Sequence, residues 1–386
     1  MSRTEGGNFI VCASIAYMED SVLLNKLSEV FVSKKVYFKF WGWNRTDKKV
    51  KKDYSVEHLW TGGGFSSKRL FIHYPIWILK VLFKSFTISK KDLVFAVALD
   101  VALPIYFGSL LKGYSFIFNN PDNFSLTYNL QGKVKWFVDK LEERVAKKAL
   151  FHILPIESRF EQKHDNIVIF PNFPLESEIK KAREIFNDSN LDGYDLSTIK
   201  EDQRFKIYIN GRMVYHRGCE WLATVFDQLD PKQFLIIVAG DIYCKKLTKK
   251  LRDLENVIQF AKLENYKALS LYYCADLVLA FYDPVLPINR KAAPNKWWDC
   301  VACQVPFVSN TEIETLSVFK EKDACFTVPY GSSEKLIELF TNLNTHREKL
   351  LHVRENLASF EIHSWEAKMD QMLSVINERT AQKPKN

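Results

Sequence analysis

The sequence predicts an α/β protein built from two Rossmann-like units, each a parallel sheet flanked by helices. Three observations carry this reading. Short apolar runs alternate with amphipathic helical patterns almost throughout, as in strands joined by crossover helices. The 386 residues suit two domains, and 47% hydrophobic content supplies two cores. A polar stretch from Asn187 to Arg204, without apolar periodicity, divides halves of matching pattern. The expected organisation is a first unit over 1–190, a linker over 191–204, a second unit over 205–358 and a C-terminal helix over 359–386 that can pack back on the first unit.

Phe9–Ala13 opens the chain as a buried strand. The preceding residues from Met1 to Gly7 are short and polar, unlike an export signal. A second strand is expected at Lys35–Trp41. The run from Leu93 to Leu111 is apolar enough to suggest a membrane span, but Asp100 and Pro104 interrupt it. A charge at mid-span costs roughly 2.5–3.5 kcal/mol on insertion scales, whereas a strand over Leu93–Ala98, a turn and a helix carry no such cost. Strands follow at Ser115–Phe118, Leu150–Leu154 and Ile167–Phe170. The second half repeats the pattern with Phe205–Asn210, Phe234–Ala239, Val257–Phe260, Asp276–Phe281, Val305–Ser309 and Cys325–Val328. Between them, Leu222, Val225, Phe226 and Leu229 recur at i, i+3, i+4 and i+7, the stripe of a helix with one buried face. The last helix aligns Trp365, Met369, Met372, Leu373 and Ile376 in the same way, and a polar tail from Gln382 to Asn386 follows.

Several function classes drop out. An aromatic content of 14% excludes disorder as the main state. Seven cysteines without framework spacing point to a reducing compartment. There is no G-x-G-x-x-G, and Gly62-Gly63-Gly64 lacks the Gly-Lys-Ser/Thr of a P-loop, so it reads as a turn. Cys300 and Cys303 form a lone C-x-x-C inside a helical pattern, and the eight histidines include no H-x-x-x-H pair. Two small buried thiols and no metal site are expected.

The net charge of +8 raises nucleic-acid binding, yet the Lys48–Lys52 run has no accompanying recognition motif and reads as a solvated loop. A second basic stretch says more. No acidic residue occurs from His58 to Lys91, where Lys68, Arg69, Lys80, Lys84, Lys90 and Lys91 alternate with Phe71, Tyr74, Trp77, Phe83 and Phe86. A helix beginning at Pro75 would set Lys80 and Lys84 on one face. With Trp77 beside them they suit an anionic membrane surface, at ~1 kcal/mol per cation near the headgroups. The same helix can also pack its apolar side on the sheet.

Two segments of the second half carry chemistry. In Ile207-Tyr208-Ile209-Asn210-Gly211-Arg212, followed by Arg217-Gly218, a strand ends in Gly-Arg and a second Arg-Gly opens the next helix. Two guanidiniums and free backbone N–H groups then meet at the carboxyl edge of a parallel sheet, where ligands bind, and Arg matches phosphate in bidentate fashion. The second segment, Asn289 to Ser309, brings Asn295-Lys296 to a helix start, with Asp299 expected in the first helical turn, then passes through Gln304-Val305-Pro306 into a strand. A lysine at a helix N-terminus can hold a diphosphate, and a nearby carboxylate can accept from ribose hydroxyls.

At these residues the chain resembles the family-4 retaining glycosyltransferases of the GT-B fold, well over Phe205–Ser309 and more loosely across the first half. There Trp41-Gly42-Trp43-Asn44-Arg45 and Asn119-Asn120-Pro121-Asp122 look like members acting on cell-surface polysaccharides. The resemblance implies two Rossmann-like domains facing a central cleft, the first binding the acceptor and the second the nucleotide sugar. It implies that Arg212, Arg217 and Lys296 grip the donor diphosphate without a metal ion or other cofactor, and that Asp122 orients acceptor or sugar. The donor-binding set it implies is Gly211, Gly240, Phe260, Ala261, Asn295 and Asp299. The expected partners are a UDP- or GDP-linked sugar, a lipid-linked or surface-glycan acceptor of lipopolysaccharide or capsule type, and an anionic membrane surface. The expected location is the cytoplasm, peripheral on the inner face of the plasma membrane, with no nucleic-acid partner. Two departures stand out. Of the two glutamates with seven residues between them found in the family, the places hold Lys291 and Asp299, and the usual glycine before x-Pro is Gln304.

Overall fold

The computed structural model describes residues 7–47, 49–160, 163–361 and 364–381. Lys48, the Lys68 side chain and the polar tail 382–386 lie outside the described residues. The chain divides into two compact units, Met1–Pro171 with Glu366–Asn386, and Asn172–Trp365.

The first unit runs β1 (Phe9–Cys12), α1 (Val22–Ser33), β2 (Phe38–Asn44), β3 (Ser55–Thr61), α2 (Ser67–Ser85), β4 (Leu93–Val97), α3 (Leu99–Lys112), β5 (Ser115–Asn119), α4 (Phe124–Thr127), α5 (Gly132–Lys148), β6 (His152–Leu154) and β7 (Ile167–Ile169). Its seven parallel strands lie in the order β3-β2-β1-β4-β5-β6-β7. The apolar run from Leu93 is thus a central strand and a helix. No helix among the described residues is long and apolar enough to cross a membrane.

Two elements differ from expectation. β3 has no predicted counterpart. It is an edge strand with its Ser55, Glu57 and Thr61 side exposed, so only Val56, His58 and Trp60 carry the period-two signal. Helix α2 begins two turns before Pro75, because Ser66 caps it by accepting from the Arg69 N–H at 3.4 Å. Pro75 then sits inside the helix, where it gives up the bond to the Phe71 carbonyl.

The second unit runs α6 (Glu176–Asp188), β8 (Asn190–Leu191), β9 (Tyr194–Asp195), α7 (Ser197–Lys200), β10 (Phe205–Asn210), α8 (Cys219–Asp227), β11 (Phe234–Ala239), α9 (Lys245–Asp253), β12 (Val257–Phe260), α10 (Asn265–Tyr272), β13 (Leu277–Ala280), α11 (Pro287–Arg290), α12 (Asn295–Cys303), β14 (Phe307–Asn310), α13 (Ser317–Lys320), β15 (Phe326–Val328), α14 (Ser333–Thr345) and α15 (Glu348–Ala358). Its six-stranded parallel sheet has the order β12-β11-β10-β13-β14-β15. The expected stripe is buried, with Leu222, Val225 and Phe226 of α8 and Leu229 just beyond it each at most 5% exposed.

The 191–204 stretch holds a small hairpin and a helical turn inside this unit. Leu191, Leu196 and Ile199 are buried in its core, three anchors that the polar composition hides, and the division between units falls at Pro171 instead. Helix α16 (Trp365–Ala381) belongs to the first unit from Glu366 onward. There Met369, Met372 and Ile376 are buried, Lys34 pairs with Asp370 and Lys368 donates to the Ile169 carbonyl at 3.0 Å.

Candidate functional site

In the second unit the strand order reverses between β10 and β13, so the loops after these two strands frame the crevice where an open parallel sheet binds ligands. Gly211 follows β10 with φ 81°, and Gly240 follows β11 with φ 129°. A Cβ on Gly240 would lie 2.2 Å from the Gly211 carbonyl oxygen, so only glycine lets the two strand ends close up. The result is a floor of bare backbone. Lys296 reaches it, its Cε 3.9 Å from where a Gly211 Cβ would stand.

Arg217 ends a short helical turn (Tyr215–Arg217), and its guanidinium lies over the ring of Tyr282 at 4.4 Å, just beyond β13. The Asp283 N–H donates to the His216 carbonyl at 3.0 Å, tying that turn to the β13 exit. Lys296 is half-buried as a residue. Its ammonium is nevertheless surrounded by protein atoms, and that desolvation, ahead of repulsion from Arg217, pulls its pKa down to about 7. The N-termini of α8 and α12 open at the same edge, with Gly218 and Pro294 as N-caps that offer no side-chain bond. Their first N–H groups keep their capacity for an anion. Arg212 is exposed and lies over the Tyr243 ring at 5.0 Å, on the same loop but turned towards α9.

Among the other expected residues, Asn295 is the first residue of α12 and half-buried, and Ala261 is exposed just beyond β12. Phe260 is half-buried and packs edge-on to Tyr194 at 5.0 Å against the core. Asp299 departs from expectation. Because α12 begins at Asn295, Asp299 falls in its second turn and is buried. The Tyr272 hydroxyl donates to its Oδ2 at 3.3 Å and accepts from the Asn210 Nδ2 at 3.1 Å. Asp299 therefore anchors a polar chain beneath the floor and lends Lys296 negative charge. Gln304 stands in the left-handed region, φ 54° and ψ 45°, as the C-cap of α12, the backbone conformation for which glycine is the usual choice. Cys300 and Cys303 are buried inside α12, as expected.

In the first unit Asp122 is ion-paired with Arg159 at 2.6 Å, so this carboxylate already has a cationic partner. Trp77 does not reach the surface. It is fully buried and stacks on Trp43 at 5.9 Å, because helix α2 turns Tyr74, Trp77, Ile78 and Val81 towards the sheet. Lys84 pairs with Glu57 of β3, and only Lys80 keeps an exposed position, over the Trp60 ring with its ammonium 5.9 Å from the ring centroid.

The first unit has its own switch point between β1 and β4, which sequence reading did not single out. Ala98 takes φ 65° and ψ 164°, a conformation otherwise left to glycine, and delivers Asp100 into the first turn of α3. Burial raises the Asp100 carboxyl pKa. Hydrogen bonding from Tyr74, Ser14 and Trp77 opposes that shift, but no donor among the described residues meets its Oδ2 in hydrogen-bonding geometry. The available signal was a carboxylate closing an apolar strand, read as a mere interruption.

No family model matches the chain, and no curated protein matches it in sequence. Solved structures do resemble it. Sucrose-phosphate synthase from Thermosynechococcus elongatus aligns with a TM-score of 0.65 at 12% identity, over 97% of this chain and 99% of that one. HepE from Anabaena, solved in complex with UDP and glucose, gives 0.66 at 13% identity, over 96% and 99%. WaaG, a glycosyltransferase involved in lipopolysaccharide biosynthesis, gives 0.61 at 13%, over 95% and 99%. At such identity the likeness establishes the fold: two parallel-sheet α/β units of the GT-B type.

Proposed function

We propose that the chain is a retaining, metal-independent glycosyltransferase of the family-4 kind, moving a sugar from a UDP- or GDP-linked donor to a lipid-linked or surface glycan of lipopolysaccharide or capsule type. The carrying observation is the convergence of Arg217, Lys296 and two uncapped helix N-termini on the glycine floor of the second unit. The complexes of similar structures with UDP support this reading.

As the bond from the anomeric carbon to the diphosphate breaks, negative charge grows on the leaving group. Arg217 and protonated Lys296, held before the reaction begins, stabilise that charge, each such donor being worth roughly 3–4 kcal/mol in comparable sites. Arg212, exposed on the same loop, adds a third cation. The acceptor hydroxyl attacks on the face that the leaving group vacates, which retains configuration, and its proton passes to the departing phosphate. The first unit carries the acceptor side. The protein works at the cytoplasmic face of the plasma membrane, where a lipid-linked acceptor is found.

Thermal unfolding with UDP, GDP, CMP and ADP, each with and without magnesium, tests the donor site. At 100 times its dissociation constant the right nucleotide adds ~2.7 kcal/mol, and the reading requires this without metal. A second reading, a nucleotide-binding relative without turnover, is favoured by Lys291 at the first glutamate place and by Asp299 lying behind Tyr272. Stabilisation by a nucleotide with no transfer or hydrolysis from any matching sugar nucleotide would select it.

A further inference from the structure

Helix α2 exposes an apolar face where a surface helix ordinarily carries charge. Phe71, Ile72, Pro75, Leu79 and Phe83 are all exposed, Phe71 by 85%. They recur at i, i+1, i+4, i+8 and i+12, one face of the helix, opposite the buried stripe that meets the sheet. Helix α3 packs against α2 so closely that a Cβ on Gly108 would lie 2.2 Å from the Ser85 Oγ. That approach brings the exposed Phe107 and Leu111 of α3 beside the C-terminal end of α2. Helix α5, which also packs on α3, exposes Val134, Trp136 and Phe137. Cations border this surface: Arg69 and Lys80 on α2, Lys112 at the end of α3 and Lys133 on α5 are exposed.

We propose that the α2–α3–α5 surface of the first unit inserts into the headgroup–acyl boundary of an anionic bilayer, with its rings and aliphatic side chains buried and its lysines at the phosphates. It deepens the lipid-linked-acceptor reading and depends on that reading only for its purpose; the surface itself is argued from the first unit alone. Monomeric soluble proteins rarely expose large contiguous apolar patches, and an amphipathic surface with aromatic and leucine side chains flanked by cations is built for a membrane interface. The border decides the occupant. A second copy of this chain would set cationic rim against cationic rim, while anionic lipid complements every one of these charges. The mode differs from the electrostatic docking expected of Lys80, Lys84 and Trp77, since two of those three are engaged inside the unit.

The test is co-sedimentation of the full chain with phosphatidylcholine vesicles and with vesicles carrying 30% phosphatidylglycerol, in 0.1 and 0.5 M NaCl. Binding to both vesicle types is expected, stronger with phosphatidylglycerol and largely retained at high salt, because apolar insertion is not screened. The double variants Phe71→Ser/Phe83→Ser and Trp136→Ser/Phe137→Ser should each lower partitioning about tenfold or more, these side chains being the exposed apolar anchors. Their thermal response to nucleotide should be unchanged, so a failure here is distinct from a failure of the donor site. No vesicle binding, complete loss at 0.5 M NaCl, or wild-type partitioning by both variants would overturn the proposal. Self-association without lipid that Phe71→Ser/Phe83→Ser abolishes would assign the surface to a second copy instead.

Discussion

Lys296 makes the proposed diphosphate grip sensitive to pH near neutrality. Its free-state pKa is pulled down to about 7 by desolvation and by the Arg217 guanidinium. A bound diphosphate supplies the missing opposite charge and drives the pKa up again, so the charged form is the one that binds. The sign follows. Affinity is full below pH 7 and declines as pH rises through the free-state value, because binding must then recruit a proton. With that value near 7, about nine-tenths of molecules carry the charge at pH 6 and about one-tenth at pH 8, an affinity loss of ~10-fold or ~1.4 kcal/mol. The ligand should be an intact sugar nucleotide, whose diphosphate diester does not itself titrate in this window. Calorimetry in two buffers of different ionisation enthalpy should record about 0.9 proton taken up per ligand at pH 8 and about 0.1 at pH 6. Lys296→Arg keeps the cation but not the titration, so its affinity should be flat across the same range. His216 neighbours the site, 3.7 Å from Asp283, and His216→Asn run alongside separates its contribution. Equal wild-type affinity at pH 6 and pH 8, or the same slope in Lys296→Arg, would refute the reasoning.

Three further outcomes are expected. Arg217→Ala and Lys296→Ala should each cut turnover about a hundredfold, ~3 kcal/mol of charge stabilisation, while Tyr282→Phe keeps the ring under Arg217 and stays near wild type. Steady-state rates check this, and Tyr282→Leu should lose about fivefold in nucleotide affinity, ~1 kcal/mol of cation–π contact. Glu142, buried on α5 where it accepts from the Asn120 and Asn123 side-chain amides at 2.9 and 2.8 Å, has its pKa pushed up to about 7 by desolvation. Its folded-state pKa exceeds the unfolded one, so stability is fully present below the unfolded value of ~4.3 and is lost as pH rises through about 7. Glu142→Gln should therefore raise Tm relative to wild type at pH 8 and not at pH 4, because it removes the buried charge that wild type carries at pH 8. Gln304→Gly should raise stability by about 0.5–1 kcal/mol in urea unfolding, the left-handed strain removed exceeding the entropy that glycine adds to the unfolded chain.

What could be read from the sequence follows the kind of signal each part carries. Strands β10 and β11 coincide with the expected spans because each is a buried apolar run bounded by polar turns, while the half-exposed edge strand β12 coincides through Val257, Ile258 and Phe260. The edge strand β3 shows only half of that pattern and was missed. The place of the proposed grip could be read for a related reason: Gly211, Arg217 and Lys296 occur at strand and helix ends, and a parallel sheet brings those ends to one edge. Side-chain direction was not legible. Whether Trp77 faces lipid or Trp43, and whether Asp299 faces a ribose or Tyr272, depends on which face of the helix meets the sheet, which neither the Ser66 cap of α2 nor the Asn295 start of α12 fixes by itself. A shift of one or two residues rotates a helical side chain by about 100–200°, enough to exchange a surface position for a core one. The proposed membrane face shows the same dependence. Its composition was visible as a run without acids, but only the packing of α2 on the sheet shows that Phe71, Leu79 and Phe83 turn outward and Trp77 inward. The chemistry of the surface thus passes from paired lysines to exposed rings, and with it the expected response to salt reverses.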